Sequence, residues 1–317
     1  MTNEELKSFY FGAYRFSETS DGYLMAHQYT KNQEEYFRGK DLYWFERCNA
    51  SNAKTIEFIS GAEEVSFRYR FYWRGSEDSI ELWVDGRPFV ITKVSDLPKE
   101  GTLVYPIPGG NTEKKMILYL PSDSTLLIRD FNIAAPAVPR VKKKKILWMG
   151  DSITQGYGPM RSAMTYVSVA NRMLDYDVIN QGIGGYIYDA GSVSEMPGYR
   201  PDEIFVSLGT NQFEENSLKS VEAFYAKLRE VYTDTVPVTC ITPVWRTDLS
   251  EREFEKFIRF CDEIKNVCKK YDNIKVTDGF ELIPHSPEYY IDGLHPNEKG
   301  TAEYGRNLVH SYLDMLK

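Results

Sequence analysis

Four short stretches of the sequence combine glycines with side chains able to attack, bind or protonate a carbonyl compound. They are GDSIT (150–154), NQGIGG (180–185), GTNQ (209–212) and DGLHP (292–296). Each of the first three follows an apolar run typical of a buried strand, and the fourth precedes the last helical pattern. Because the carboxyl ends of parallel strands meet at one rim of a sheet, we expect the first three stretches to lie close together.

Acyl transfer needs a hydroxyl nucleophile, a base within hydrogen-bond reach, and a carboxylate that orients the base. Ser152 in the first stretch can supply the hydroxyl. His295 is the natural base, because the other three of the four histidines lie outside these stretches. Asp292, three residues earlier, can accept a hydrogen bond from the imidazole and hold the tautomer that leaves the second nitrogen free for the serine. We therefore predict Ser152, His295 and Asp292 as the catalytic residues.

The negative oxygen that forms during acyl transfer needs hydrogen-bond donors. We predict that the main-chain N–H groups of Ser152 and Gly185 and the side-chain amide of Asn211 supply them. Glycine at position 185 lets the backbone approach a substrate without a Cβ in the way.

Several of these residues also have a structural interpretation. Ser152 at a strand-to-helix turn can be a helix cap, and Asp292 can cap the last helix. We expect Asp151 to hydrogen-bond local backbone, and Asn180 to act as a loop scaffold. The glycines at positions 182 and 184 fit turns.

Strand patterns dominate the first 140 residues. In VSFRYRFYW (65–73), apolar residues alternate with mostly polar ones, which is the period of a strand with one buried face. Further strand-like runs follow at short spacing, separated by Gly, Pro, Asp and Ser. The pattern predicts an all-β domain, either a β-sandwich or a jelly roll.

Two prolines in AAPAVPR (134–140) interrupt this pattern, because proline cannot join a central strand ladder. We place the domain boundary there, with a β-sandwich domain at 1–140 and a second domain at 141–317. In the second domain, apolar strands alternate with helices, among them a helix from Ser250 to Tyr271 with a capping box of Ser250 and Glu253. This alternation predicts an α/β fold with a three-layer, flavodoxin-like parallel sheet.

The four stretches, in this order and at these separations, resemble the four sequence blocks of the SGNH/GDSL hydrolases. The resemblance covers residues 144–317. It implies Ser152 as nucleophile, His295 as base with Asp292 as its partner, and Gly185 and Asn211 as oxyanion donors with the Ser152 amide. One position departs from the pattern, because many family members have aspartate where this chain has Gln212.

A β-sandwich before such a domain resembles the carbohydrate esterases of family two, and GKDLY (39–43) is similar to a GxDLY signature of some SGNH esterases. The resemblance implies a serine esterase that removes O-acetyl groups from carbohydrates, as in polysaccharide degradation. Trp245 and Arg246, in the loop after PVTCIT, are predicted to bind the substrate, because an aromatic plane packs on a sugar face. Core packing is the alternative for Trp245. Two other functions stay open: a lipase or thioesterase for longer acyl chains, and an inert glycan-binding protein.

Composition narrows the classes of partner. The chain has 317 residues and a formal net charge of -8, which argues against nucleic acid or an anionic membrane. The first residues lack a signal-peptide pattern, so we expect a cytoplasmic protein. The four cysteines lack metal-site spacing and are predicted to be reduced core residues. We expect no cofactor and no metal; the partner is a small-molecule or oligosaccharide ester, and a homo-oligomer stays open.

Overall fold

Two antiparallel sheets form the first part of the chain, and one parallel sheet forms the second. The computed structural model describes residues 1–213 and 217–317. Strands β1 to β11 of the antiparallel sheets are, in chain order, Tyr10–Phe11, Arg15–Glu18, Leu24–His27, Thr55–Ser60, Glu64–Arg74, Ser79–Val84, Arg87–Lys93, Glu100–Pro106, Lys114–Tyr119, Ser124–Ile133 and Ala137–Pro139.

The two antiparallel sheets pack face to face as a β-sandwich. One has the order β1-β4-β9-β6-β7, with β11 also paired to β4, and the other has the order β2-β3-β10-β5-β8. Their shared core holds Leu82 and Leu118 from the first sheet and Phe67 and Phe71 from the second. Alternate residues of β5 are buried, as the period of its sequence predicts. The predicted all-β domain is confirmed.

Strand β11 lies inside the segment 134–140, where two prolines interrupt the strand pattern of the sequence. Its residues pair with β4 in antiparallel register, and Pro139 lies opposite Phe58. The strand is at the edge of its sheet, where a proline without an N–H leaves no ladder bond unmade. The prolines therefore restrict this strand to the sheet edge without preventing it.

Three helices interrupt the first part of the chain, where the sequence pattern predicted only strands. They are α1 (Asn3–Lys7), α2 (Lys31–Lys40) and α3 (Leu42–Cys48). Thr30 caps α2 through a capping box with Gln33, and Asp41 caps α3 by accepting a hydrogen bond of 2.8 Å from the Tyr43 N–H. Helices α2 and α3 follow each other directly because Asp41 ends the first and caps the second.

The second part of the chain contains a five-stranded parallel sheet. Its strands are β12 (Lys145–Gly150), β13 (Asp177–Gly182), β14 (Glu203–Ser207), β15 (Val238–Ile241) and β16 (Ile274–Thr277). Their order in the sheet is β13-β12-β14-β15-β16, which is the flavodoxin-like order. Because the order reverses between β12 and β14, the loops that follow these two strands flank the place where ligands bind in such sheets.

Helices cover both faces of this sheet. They are α4 (Ser152–Gln155), α5 (Tyr166–Leu174), α6 (Ser217–Tyr232), α7 (Glu251–Cys268) and α8 (Glu298–Met315). Trp148 and Phe205 pack with α5 and α8 on one face, and Leu147 and Val206 pack with α6 and α7 on the other. The predicted three-layer α/β domain is confirmed. Short 3-10 helices lie at Val94–Asp96, Ser162–Met164, Ala190–Ser192, Gly279–Glu281 and Pro287–Tyr289.

Helices α2 and α3 belong to the first part of the chain but pack on the second. Tyr29, Phe37 and Cys48 lie in the same hydrophobic core as Leu147 and Met149 of the parallel sheet. The Tyr29 hydroxyl also donates a hydrogen bond of 2.7 Å to the main-chain oxygen of Gln181. The region around residues 29–48 is therefore shared between the two predicted domains.

In the part of the chain that the structure describes, no helix is both long and apolar enough to span a membrane. All four cysteines are buried and free, as their apolar neighbours in the sequence predict.

Candidate active site

Ser152 is the first residue of α4 and follows directly after β12 and the capping residue Asp151. Asp151 accepts a hydrogen bond of 3.0 Å from the Ile153 N–H. Burial raises the pKa of Asp151 to about 7, against the opposing effect of hydrogen bonds from the backbone of Ile153 and Thr154. Asp151 thus holds the turn that presents Ser152, and Ser152 is not the cap.

The structure brings Ser152, His295 and Asp292 into one hydrogen-bonded series. Ser152 Oγ lies 2.9 Å from His295 Nε2, and His295 Nδ1 lies 2.7 Å from Asp292 Oδ2. The second oxygen of Asp292 accepts from the backbone N–H groups of His295, at 2.7 Å, and Leu294, at 3.0 Å. A protonated Nδ1 would bond to the carboxylate and leave Nε2 as acceptor for the serine hydroxyl.

Asp292 is suited to remain ionised in this series. Its partial burial raises the pKa, but the hydrogen bonds from the backbone and ring of His295 and the backbone of Leu294 outweigh burial and lower the pKa of Asp292 below its ordinary value. Tyr157 adds a steric support for the base, because its ring meets that of His295 edge-on with the centroids 4.6 Å apart. The imidazole is held from two sides.

The three predicted oxyanion donors lie at the cavity onto which the Ser152 side chain opens. Ser152, Gly185 and Asn211 all line one cavity. Ser152 is the first residue of a helix, where an N–H has no intrahelical acceptor. Gly185 has a φ of +71°, a left-handed conformation that favours glycine. One N–H of the Asn211 amide donates to the Tyr186 oxygen at 3.0 Å, which fixes the side chain while the second N–H is free to face a substrate.

Hydrogen bonds hold the loops that carry these donors. Asn180 donates to the Thr154 oxygen at 2.7 Å and accepts from the Gly182 N–H at 2.8 Å, so it links the second stretch to α4. Gln212, where the family pattern often has aspartate, accepts from the Tyr188 N–H at 2.8 Å. The glutamine therefore supplies a hydrogen bond to the neighbouring loop.

Trp245 and Arg246, which we expected to bind substrate, do not line the cavity that contains Ser152. The Trp245 ring stacks on His285 with centroids 5.1 Å apart. Arg246 is buried, forms an ion pair of 2.5 Å with Asp248, and donates to the Thr210 oxygen at 2.7 Å. Arg246 thus braces the loop that carries Asn211, and substrate contact for either residue stays a prediction.

The cavity over Ser152 has a volume of about 440 Å³. Both parts of the chain line it, and six of its residues had no role in the site predicted from the sequence. These six are Tyr43, Arg47, Ser76, Asp123, Gln155 and Tyr157. For Tyr43 and Arg47 the sequence contains one signal, the stretch GKDLY (39–43). Its aspartate, Asp41, caps α3, the helix that carries both residues.

Gln155 connects the β-sandwich to the loop that contains Gly184 and Gly185, which we call the oxyanion loop because Gly185 is a predicted oxyanion donor. Its side-chain nitrogen donates to Asp123 Oδ1 at 2.7 Å, and its oxygen accepts from the Gly184 N–H at 2.6 Å. Asp123 in turn accepts from the N–H and hydroxyl of Ser76, at 2.8 and 2.6 Å. This series of contacts positions the Gly184 and Gly185 backbone relative to the sandwich.

A buried lysine takes part in a second series of contacts below the same loop. Lys54 Nζ donates to the Gln28 side-chain oxygen and to the Ala50 oxygen. Gln28 donates to Asn52 at 2.8 Å, and Asn52 donates to the main-chain oxygen of Asn180 at 3.2 Å. Lys54 is 1% exposed, and burial lowers its pKa from 10.5 to about 7, against smaller raising effects of Cys48 and Glu34.

The free energy of unfolding should therefore depend on pH through Lys54. Between about pH 7 and pH 10.5 the unfolded chain keeps the Lys54 proton and the folded chain loses it, so stability rises with pH in that window. Relative to Lys54→Met, the wild type is expected to gain at most about 1.4 kcal/mol per pH unit. Denaturant titrations at about pH 7 to 9.5 measure this.

Lys143→Met is the matched control, because Lys143 is exposed. Its free energy of unfolding should follow the wild type at every pH. Equal pH slopes for the wild type and Lys54→Met would contradict the assignment of a lowered pKa to Lys54.

The second part of the chain is similar to a known protein family. Residues 148–302 match the model of the GDSL-like lipase/acylhydrolase family. No curated protein matches the chain.

Solved structures match almost the whole chain. The salicylyl-acyltransferase SsfX3 from a tetracycline biosynthetic pathway has a TM-score of 0.77 at 16% identity, covering 96% of this chain and 94% of that one. A family two carbohydrate esterase from Cellvibrio japonicus has a TM-score of 0.68 at 15% identity, covering 97% and 96%. The acetyl xylan esterase Est2A from Butyrivibrio proteoclasticus has a TM-score of 0.61 at 16% identity, covering 84% and 90%. At these identities the matches establish a common fold that includes the β-sandwich.

Proposed function

We propose that this chain is a serine esterase that removes acetyl groups from carbohydrates, because residues 148–302 match the model of the GDSL-like lipase/acylhydrolase family. The reaction needs no cofactor, since the nucleophile, the base and the oxyanion donors are all groups of the chain.

One observation carries the proposal. The Ser152 hydroxyl is 2.9 Å from His295 Nε2, His295 Nδ1 is 2.7 Å from Asp292, and Ser152 opens onto a cavity of about 440 Å³. A helix cap or a surface histidine would not require this alignment of three groups at the mouth of a cavity.

In the first half of the reaction, Ser152 Oγ attacks the ester carbonyl carbon as its proton moves to His295 Nε2. The carbonyl oxygen becomes negative and accepts hydrogen bonds from the N–H groups of Ser152 and Gly185 and from the Asn211 amide. When the tetrahedral intermediate collapses, the bond to the sugar oxygen breaks and His295 returns the proton to that oxygen. The sugar leaves with a free hydroxyl, and Ser152 carries the acetyl group.

In the second half, a water molecule attacks the acetyl-serine as His295 takes its proton. The same donors hold the second oxyanion. Collapse breaks the bond to Ser152 Oγ, which regains its proton from His295, and acetate leaves. Ionised Asp292 favours the charged imidazole in both halves through the bond to Nδ1.

The lining of the cavity supports a polar substrate. It includes Ser76, Gln155 and Asn211, and Tyr43 adds an exposed aromatic side chain that can contact a sugar ring. A site for a long acyl chain would instead need an apolar channel. Similar solved structures include the family two carbohydrate esterase and the acetyl xylan esterase, from which we take the proposed acetyl-carbohydrate substrate.

The experiment measures acetate released from acetylated xylo-oligosaccharides, together with hydrolysis of 4-nitrophenyl acetate and octanoate. We expect acetate release, and a kcat/KM for the acetyl ester at least about tenfold above that for the octanoyl ester. A preference for octanoate would favour a lipase or thioesterase. No turnover of any ester would leave a glycan-binding protein.

A further inference from the structure

Arg47 extends from α3 into the cavity that contains Ser152. It lies one helical turn after Tyr43, so the two side chains share a helix face. The guanidinium carbon is 3.3 Å from the centroid of the Tyr43 ring and 5.0 Å from that of Trp73, which belongs to β5 of the sandwich. Cation–π contacts with these two rings thus hold the guanidinium in place. The rings carry no negative charge, so they do not neutralise it.

The Arg47 side chain lies directly over the oxyanion loop. A Cβ at position 184 would be 2.9 Å from Arg47 Cδ and 3.1 Å from Arg47 Nε, so glycine at this position leaves room for the arginine in its present conformation. The next residue is Gly185, whose N–H is one of the proposed oxyanion donors. Arg47 therefore lines the same cavity as Ser152 and Gly185 and lies close to the backbone of Gly184.

Arg47 has no carboxylate partner among the residues that the structure describes: its interactions there are with the two aromatic rings. It is also the only lysine or arginine of the described lining of this cavity. The two carboxylates of that lining are engaged elsewhere, Asp123 with Ser76 and Gln155, and Asp292 with His295. An unpaired, fixed guanidinium in a half-enclosed site favours an anion from outside the chain.

We propose that Arg47 forms a carboxylate-binding subsite in the catalytic cavity, so that the preferred substrate is an ester that carries a carboxylate near the scissile bond. The planar fork of a guanidinium matches a carboxylate with two parallel hydrogen bonds, whereas neutral sugars use at most part of its donors. This inference rests on the proposed esterase function and specifies its substrate class as acidic esters. The carboxylate can belong to the alcohol, as in an acetylated uronic acid, or to the acyl group, as in a hemisuccinate.

The test compares matched pairs of esters in the full-length protein. Acetylated glucuronic acid against acetylated glucose tests a carboxylate on the alcohol. 4-Nitrophenyl hemisuccinate against 4-nitrophenyl butyrate tests a carboxylate on the acyl group. In at least one pair we expect kcat/KM for the charged ester to exceed that for the neutral one by about 10- to 100-fold, the usual effect of a charge-assisted hydrogen-bonded pair.

Variants of Arg47 then show whether this ratio depends on the guanidinium. Arg47→Gln should lower the charged-to-neutral ratio by about 10- to 100-fold, mainly through KM for the charged ester. Arg47→Lys should give an intermediate ratio, because it keeps the charge but loses the paired donors. Arg38→Gln is the matched control: Arg38 is exposed, stacks on Phe45 at 4.3 Å and lies outside the cavity lining, so its ratio should equal that of the wild type.

The two levels of the proposal fail differently. Hydrolysis of neutral acetyl esters with no preference for charged ones, or a preference that Arg47→Gln leaves intact, would overturn the Arg47 subsite and leave the esterase standing. Absence of Ser152-dependent hydrolysis in both pairs would overturn the esterase itself and the subsite with it. The pair that shows the preference identifies which side of the ester carries the carboxylate.

Discussion

Replacement of Ser152 by alanine is expected to lower kcat/KM for acetyl-ester hydrolysis by about 10⁴-fold or more. In the proposed mechanism the hydroxyl oxygen forms the bond to the acyl group, so an alanine leaves only substrate binding and the oxyanion donors to assist direct attack by water. Steady-state hydrolysis of 4-nitrophenyl acetate at several enzyme concentrations measures the loss. An acetyl-enzyme should be trapped with the wild type and detected by mass spectrometry as an added acetyl group. Ser152→Ala should show no such added mass.

Ser250→Ala is a suitable control, because Ser250 is an exposed helix cap of α7 that lies outside the cavity. It should cost about 1 kcal/mol of stability and leave kcat/KM near the wild-type value. Thermal unfolding of Ser152→Ala should match the wild type closely enough to exclude misfolding. Turnover in folded Ser152→Ala at the wild-type rate would refute Ser152 as nucleophile.

His295→Gln is expected to lower kcat by about 10⁴-fold, since His295 Nε2 lies 2.9 Å from Ser152 Oγ and is the proposed acceptor of its proton. Asp292→Asn should lower kcat less, because the side chain of Asp292 is 45% exposed and water screens part of its charge. If His295 takes the proton and Asp292 only orients the imidazole, kcat should fall further in His295→Gln than in Asp292→Asn. Initial rates on 4-nitrophenyl acetate measure it.

His310→Gln tests for a general effect of removing an imidazole, because His310 is exposed on α8 and lies outside the cavity. Its kcat should equal that of the wild type. The assignment of His295 as base would be wrong if His295→Gln kept most of its activity, or if His310→Gln lost as much.

The parallel sheet was predictable because its strands carry a signal in the sequence. Strand β12 is apolar on both faces, with Trp148 packing to one side and Leu147 to the other, as a strand covered by helices requires. The glycine and polar residues that follow each strand predicted the shared rim. Because β12 and β14 are neighbours in the sheet, the loops that carry Ser152 and Asn211 are neighbours as well.

Helices α2 and α3 were missed because their residues are stabilised by contacts distant in sequence. Phe37 and Cys48 pack into a core built mainly by residues after position 145. The helix propensity of the local sequence does not include the stabilisation from such distant contacts. The capping residues Thr30 and Asp41 were the available local signals.

Trp245 shows a second limit of sequence reasoning. Its loop was placed on the expected side of the sheet, but the direction of a side chain in an irregular loop follows no period. The ring therefore packs on His285, while Tyr43 and Arg47 from the other end of the chain line the cavity. Chemical type and loop order predicted that Ser152, His295 and Asp292 lie together, but they did not predict which side chains surround them.

The sharing of one hydrophobic core by residues on both sides of position 140 has a consequence for modularity. Tyr29, Phe37 and Cys48 fill space between residues of the parallel sheet and its helices, and α3 supplies a wall over the oxyanion loop. The second part of the chain therefore does not complete its hydrophobic core on its own. If the proposed function holds, changes confined to α3 can alter the substrate while Ser152, His295 and Asp292 stay unchanged, whereas recombination at position 140 would separate Ser152 from α3.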